Sequence, residues 1–280
     1  MKDAWKKSPL KKIALVVFCL TLTVVILYPY FVMFTTAAKP NDELYSNDMS
    51  ILPRTWHLNN FIEIWKKAPV AKFFVNSVAV ALGSTLLAIA CGIPAAYSLA
   101  RMKFKGKGIF LGLIIMSQMF APVVLLPGIY KLMVNLHTTD SLAGLILLNT
   151  AFNQAFAIWL LRGTFLSISP EMEQAAKIDG CNRMQAMFRI LLPMAAPGIV
   201  TALIFIFINA WNEYTMAMTL ISSEAVKPIT VGINVFYGYN MIQWQYLFAT
   251  SIFATIPVVI LFLFIEKHLV SGLTAGGVKG

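Results

Sequence analysis

Charge is what this sequence has least of. Only 12% of its 280 residues are Asp, Glu, Lys or Arg, whereas 59% are apolar, and the mean hydropathy is +0.75. A soluble domain needs roughly a quarter of its residues charged to face water, so a water-soluble enzyme is excluded and the chain reads as an integral membrane protein. Cysteine is nearly as scarce: Cys19, Cys91 and Cys181 are odd in number and stand apart, which argues against a disulfide framework or a thiolate metal site. The three histidines, His57, His137 and His268, are scattered through loops, so the catalytic cluster of a membrane-embedded enzyme is missing. Also missing is a Gly-x4-Gly-Lys-Ser/Thr phosphate cradle, because Gly106-Lys107-Gly108 and Gly276-Gly277-Val278-Lys279 lack its spacing. ATP hydrolysis by this chain is not expected. The net charge of +10 falls in short clusters rather than a stripe, which excludes a nucleic-acid surface.

What the sequence has in abundance is uncharged apolar chain. Runs of about 20 residues, enough to cross about 30 Å of hydrocarbon, occupy 13–36, 73–100, 108–130, 141–161 and 245–265. A sixth, 197–220, has the length but carries Asn209, Asn212 and Glu213. The expected fold is an all-α polytopic membrane protein with six transmembrane helices. Lysines precede the first run and Thr36-Ala37-Ala38 is a passable cleavage site. A signal-peptide core has only about 7–15 apolar residues, however, so the run is read as a retained span.

An even number of spans puts both termini on one side. Lys2, Lys6, Lys7, Lys11, Lys12, Arg101, Lys103, Lys105, Lys107, Arg162, Lys177, Arg183, Arg189, Lys267 and Lys279 lie on that side. They outnumber Lys39, Arg54, Lys66, Lys67, Lys72, Lys131 and Lys227 opposite. The positive-inside rule then places the termini in the cytoplasm. The organisation expected is a cytoplasmic segment 1–12, a six-helix domain 13–267 and a cytoplasmic tail 268–280 that is glycine-rich enough to read as disordered. Ser84, Ala88, Gly92, Ala96 and Ala100 recur every four residues, a stripe that admits a close helix, within the bundle or across a dimer. Pro94, Pro122 and Pro127 predict kinks.

The cytoplasmic loop 162–196 is too polar to span and too apolar to be disordered. It reads as two short helices. Ser169 caps the first, Pro170 opens it, Glu171 and Glu173 complement its dipole, and Gly180 ends it. Asn182 caps the second, which Pro193 and Pro197 are expected to terminate before the next span. Within this loop Gln174-Ala175-Ala176, Gly180, Ile190 and Leu192-Pro193 together resemble the coupling loop of bacterial ATP-binding-cassette importer permeases. The string from Glu173 to Gly180, with Trp211-Asn212-Glu213 in the following helix, is similar to the carbohydrate-importing branch. The tail from Gly272 to Gly280 looks like that of the smaller membrane subunit of maltose and maltodextrin importers.

That resemblance implies the type I importer permease fold in a bacterial cytoplasmic membrane, and a permease subunit for maltose or maltodextrins. The alternatives are a permease for another oligosaccharide or glycerol phosphate, a secondary transporter or a membrane enzyme. A secondary transporter would need inverted repeats and buried ion-coupling carboxylates, yet Glu213 is alone in the spans. The partners implied are a homologous second permease, a cassette ATPase homodimer that holds ATP and Mg, and an extracytoplasmic sugar-binding protein; no cofactor is expected in this chain. The resemblance assigns coupling to Glu173, Gln174, Ala175, Ala176, Asp179, Gly180, Ile190, Leu192 and Pro193, and an ATPase-contacting tail to Gly276, Gly277, Val278, Lys279 and Gly280. Small Ala175 and Ala176 would let the helix enter a groove on the ATPase, with Glu173 or Gln174 meeting a basic residue there.

Polar groups inside spans are costly and point to a pathway or to helix joining. Asn149, Asn153, Asn209, Trp211, Asn212, Glu213 and Tyr214 are the candidates, the aromatics for stacking on a sugar ring and the amides for its hydroxyls. Outside the membrane, Tyr237, Tyr239, Asn240, Gln243 and Trp244 resemble a loop that reaches into the binding protein, and read equally well as an interfacial aromatic belt.

Overall fold

The computed structural model describes residues 9–46, 50–238 and 241–276, with side chains between 11 and 264 of these. In chain order the α-helices are α1 (Pro9–Ala37), α2 (Asn41–Leu44), α3 (Asn60–Lys67), α4 (Val70–Arg101), α5 (Lys107–Ser117), α6 (Pro122–Asn135), α7 (Leu142–Ser167), α8 (Pro170–Ile178), α9 (Arg183–Ala186), α10 (Leu192–Trp211), α11 (Thr215–Leu220), α12 (Ile229–Gly232) and α13 (Trp244–Gly276). Among the described residues the sole β feature is an isolated bridge between Tyr237 and Ile242. Among the described residues five helices have the length and apolarity to cross a membrane, or six if α5 and α6 count as one broken span.

The chain divides into two compact units. The first comprises 1–69 and 233–253. In it the Asn60 side chain donates to the carbonyls of Ala37 (2.9 Å) and Lys39 (2.8 Å), satisfying orphan acceptors where α1 ends. Phe61 and Trp65 of α3 pack on Phe253 with centroids 6.4 and 5.2 Å away. The second unit comprises 70–232 and 254–280, and there α4 packs against both α7 and α10. The stripe on α4 explains the close approach: a Cβ on Gly92 would stand 3.4 Å from that of Ala157, and the Ser84 hydroxyl donates to the Ile146 carbonyl (3.3 Å). The small residues therefore serve packing within the chain. Tyr97, Leu161, Phe165, Met187, Leu191 and Ile206 complete this core.

Three stretches differ from the uninterrupted spans and separate loop helices that composition suggests. The run 108–130 is two helices meeting at 101°. Pro122 has no amide hydrogen and disfavours helical geometry before it, and Ala121 is accordingly extended (φ −64°, ψ 126°). The run 197–220 stops at Trp211 and resumes as α11, because the Glu213 carboxylate accepts the Met216 amide (2.6 Å) and the Ala217 amide (3.0 Å). Pro193 and Pro197 do not end the second loop helix. A π-helical turn at Met187–Leu191 carries α9 into α10 as one 29-residue helix, Arg183–Trp211. The Leu192 amide bonds back to Met187, and this wider turn accommodates a following proline that has no amide to give. The glycine-rich stretch 268–276 is helical, as the end of α13.

Gly144, in the first turn of α7, is required by a close approach: a Cβ there would sit 2.1 Å from the Thr138 carbonyl oxygen. Gly144→Ala is expected to cost about 1–3 kcal/mol through strain. Gly112→Ala, with open space around it, should be harmless. Thermal unfolding of the detergent-solubilised variants checks the difference.

Candidate functional site

The loop helix α8 is built by its caps. The Ser169 hydroxyl accepts the Glu171 amide (3.3 Å), and Pro170 stands where no donor is needed. Gly180 ends the helix at φ +84°, a left-handed conformation that glycine adopts without strain, and Cys181 closes the turn on the Ala176 carbonyl (2.9 Å). Asn182 then opens α9 with a reciprocal capping box: its side chain accepts the Gln185 amide, and the Gln185 side chain accepts its amide, both at 2.9 Å.

α8 has an inner and an outer face. Glu173 and Ala176 point inward, at 6% and 1% exposure, whereas Gln174, Ala175, Asp179 and Gly180 are exposed and Ile178 is 86% exposed. Two expectations are corrected here. Ala176 is not presented to a partner, because its methyl is already enclosed by this chain. Glu173 does not reach outward, because its carboxylate is occupied within the chain. Tyr97 donates to Oε1 (3.0 Å), Lys177 pairs with the same oxygen (2.8 Å), and the Arg101 Nε lies 3.7 Å from Oε2. Burial by itself would raise the Glu173 pKa. The hydrogen bonds from Lys177 and Tyr97 and the charges of Lys177 and Arg101 outweigh it, and the carboxyl titrates below the ordinary glutamate value. Ile190 and Leu192 are half-buried on the π turn and at the start of α10, with Pro193 exposed beside them.

The intramembrane amides converge on a cavity of about 440 Å³, lined by Ser117, Gln118, Phe120, Asn149, Asn153, Phe156, Asn209, Glu213 and Met216 among others. The Asn209 side chain donates to the Asn153 Oδ1 (3.2 Å), and the Asn153 amide donates to the Asn149 carbonyl (2.9 Å). Glu213 is the sole charged residue among those described as lining it. Trp211 faces elsewhere: it stacks on Phe207 (5.8 Å), meets Phe74 edge-on (5.5 Å) and donates to the Ala254 carbonyl (3.1 Å). This is a core position, which corrects its assignment to sugar stacking. Asn212 and Tyr214 are exposed beside Glu213 and do not line the cavity.

In the first unit, Tyr237 and Ile242 close a short turn held by the Gln243 amide on the Phe236 carbonyl (2.9 Å). Tyr237 and Gln243 are exposed, and Trp244 stacks on Phe248 (5.7 Å). The Tyr45 hydroxyl donates to the Ile242 carbonyl, fixing the turn against α2's C-cap. Tyr239 and Asn240 lie outside the described residues, as do Gly277, Val278, Lys279 and Gly280; Gly276 is the last residue of α13.

Residues 88–274, which include the loop helix and the cavity's amides, match the family described as binding-protein-dependent transport system inner membrane component. The chain belongs to this family. It is 36% identical over 264 residues to the probable ABC transporter permease protein YurM of Bacillus subtilis, covering 94% of this chain and 87% of that protein. Identity is also 36%, over 91% of this chain and 89% of the relative, to the sulfoquinovosyl glycerol transport system permease protein SmoH of Agrobacterium fabrum. The arabinooligosaccharides transport system permease protein AraQ of Bacillus subtilis is 30% identical, over 96% of each chain. In fold, the chain matches a crystal structure of a bacterial ABC transporter involved in import of the acidic polysaccharide alginate. The TM-score is 0.80 at 22% identity, over 93% of this chain and 98% of that one.

This inner-membrane transport component thus has the importer permease fold. Sequence reasoning missed Tyr97 and Arg101, which sit one helical turn apart on α4 and share a face; Arg101 registered there as an orientation charge alone. It also missed Ser117 and Gln118, the polar pair at the break between α5 and α6.

A depressed carboxyl pKa gives stability that is full above the unfolded-state value and is lost as pH falls through the folded one. Acidification from neutral pH should therefore lower the melting temperature of the wild type more steeply than that of Glu173→Gln, which starts lower. Parallel curves from thermal scans in detergent would show that the carboxylate contributes nothing.

Proposed function

We propose that this chain is a membrane-spanning subunit of an ATP-driven sugar importer, which forms half of the translocation pathway and takes its energy from a separate cassette ATPase dimer. The observation that carries this reading is the two-faced loop helix. The inner face of α8 is bound to the bundle through Glu173, while Gln174, Ala175 and Ile178 are exposed. A helix anchored on one side and open on the other suits docking into a groove, and Gln174, rather than Glu173, is the polar group that meets the ATPase. ATP and Mg are held by that partner. Closure of the ATPase dimer pushes the helix and rocks the bundle between inward-open and outward-open states.

The cavity supports the substrate class. Amides, a hydroxyl and aromatic edges are what sugar hydroxyls and ring faces bind, and the lone carboxylate with no cation favours a neutral saccharide over glycerol phosphate. Maltose or maltodextrin is the specific sugar proposed, on the likeness of the loop and tail to those importers. A second homologous permease supplies the other half of the pathway. An extracytoplasmic sugar-binding protein delivers ligand at the turn 237–243, and both termini face the cytoplasm.

Affinity purification of the tagged chain in mild detergent is expected to recover a cassette ATPase and a second multi-span permease. The reconstituted complex should then take up maltodextrin in preference to glycerol phosphate. Asn209→Ala should lower subsaturating uptake about tenfold, the size of one lost hydrogen bond. Recovery of the chain without an ATPase would overturn the reading.

A further inference from the structure

The buried carboxylate of Glu173 joins α8 to a helix that is remote in sequence. Chain connectivity ties α8 to α7 through Ile168 and Ser169, and to α9 and α10 through Gly180. Both links interrupt the helical ladder: Ile168 and Ser169 are non-helical, and Gly180 holds a left-handed conformation. A push on α8 transmitted only through them would have to cross a break in the helix on either side. The contacts to α4 are of another kind. Tyr97 and Arg101 stand on one face of its last turns, and Tyr97 is buried, edge-on to Phe165 (6.0 Å). Its hydroxyl bonds to Glu173. The Arg101 guanidinium straddles the start of α8: Nη2 donates to the Ile168 carbonyl (2.7 Å), and Nε faces the Glu173 Oε2 at 3.7 Å.

We propose that Tyr97, Arg101 and Glu173 form a joint that passes the displacement of α8 directly into the second transmembrane helix, and that these three are positioning residues for coupling. Separating α8 from α4 would strand a buried carboxylate and a buried guanidinium, a far steeper penalty than rotating a loop bond. Because α4 packs against both α7 and α10, motion delivered to it reaches the helices that line the cavity. The Arg101 Nε has no hydrogen-bond partner and is buried, so the pair is incompletely closed. A small advance of α8 toward α4 brings it within bonding distance, and the joint tightens under load. Lys177, on α8 itself, balances the carboxylate without linking the two helices.

This inference rests on the reading of α8 as the contact with an ATPase, and the test separates the two. The wild type, Glu173→Gln, Arg101→Gln and the double variant are compared as intact complexes in proteoliposomes. The readouts are subunit stoichiometry, ATP hydrolysed, and sugar imported per ATP. The expected result is complete complexes that still hydrolyse ATP, with import per ATP reduced about fivefold or more in each single variant. The double variant should lose less than the two singles combined, because the pair between Arg101 and Glu173 is already broken in each single. Should Glu173→Gln fail to assemble, Tyr97→Phe removes one hydrogen bond of the same joint and should reduce import per ATP in the same direction. A coupled wild type with unchanged import per ATP in the assembled variants overturns the joint and leaves the importer reading intact. A wild-type preparation without an ATPase overturns both.

Discussion

In hydrocarbon no water takes over a hydrogen bond that a helix gives up, so an interruption in a spanning segment must be covered by the protein itself. Three interruptions among the described residues follow that rule. At the end of α10 the Glu213 carboxylate caps α11 and the Thr230 hydroxyl donates to the Glu213 carbonyl (2.9 Å). Between α5 and α6 the Gln118 amide turns back to Ile115 and the Met119 amide to Met116, while the side chain of Gln118 faces the cavity. Below α10 the π turn absorbs Pro193. The cavity lies where two of these interruptions and the amide-bearing stretch of α7 come together, so the polar site is a consequence of how the broken helices are satisfied.

The same demand for satisfaction shapes the loop outside the membrane. Glu173 is buried because Tyr97, Arg101 and Lys177 surround it, and that set divides α8 into an anchored face and an open one. The division separates two roles that the motif alone merges. Ala176 and Glu173 hold the helix in the subunit, whereas Gln174, Ala175 and Ile178 are exposed. A helix held this way is joined to the bundle by side chains as well as by its loops, which is what the proposed lever requires.

Much of this was legible in the sequence. Charge-free runs locate the long apolar helices, although 108–130 proves to be two helices and 197–220 ends at Trp211. Ser169, Gly180 and Asn182 locate the loop helices, since caps act through bonds to residues only a few positions away. What was not legible depends on neighbours distant in sequence or on choices between similar environments. Glu173 and Tyr97 lie 76 positions apart, and nothing local tells which turn of α8 faces inward. Trp211 sits one residue from the polar Asn212 and two from Glu213, yet Phe74 and Phe207 take its ring into the core. The end of α10 is hidden for a different reason: apolar composition continues past it, and only the reach of one carboxylate to two amides marks the stop.

In the proposed importer the outer face of α8 meets an ATPase while its inner face belongs to this chain. A photo-activated crosslinking residue placed at Ile178, in cells and under native expression, tests it most directly, with the enclosed position of Ala176 as the internal comparison. A crosslink from position 178 to a nucleotide-binding ATPase subunit, with crosslinks from 176 confined to this chain, is the result expected. Crosslinks from 178 to lipid or to this chain alone would contradict the account.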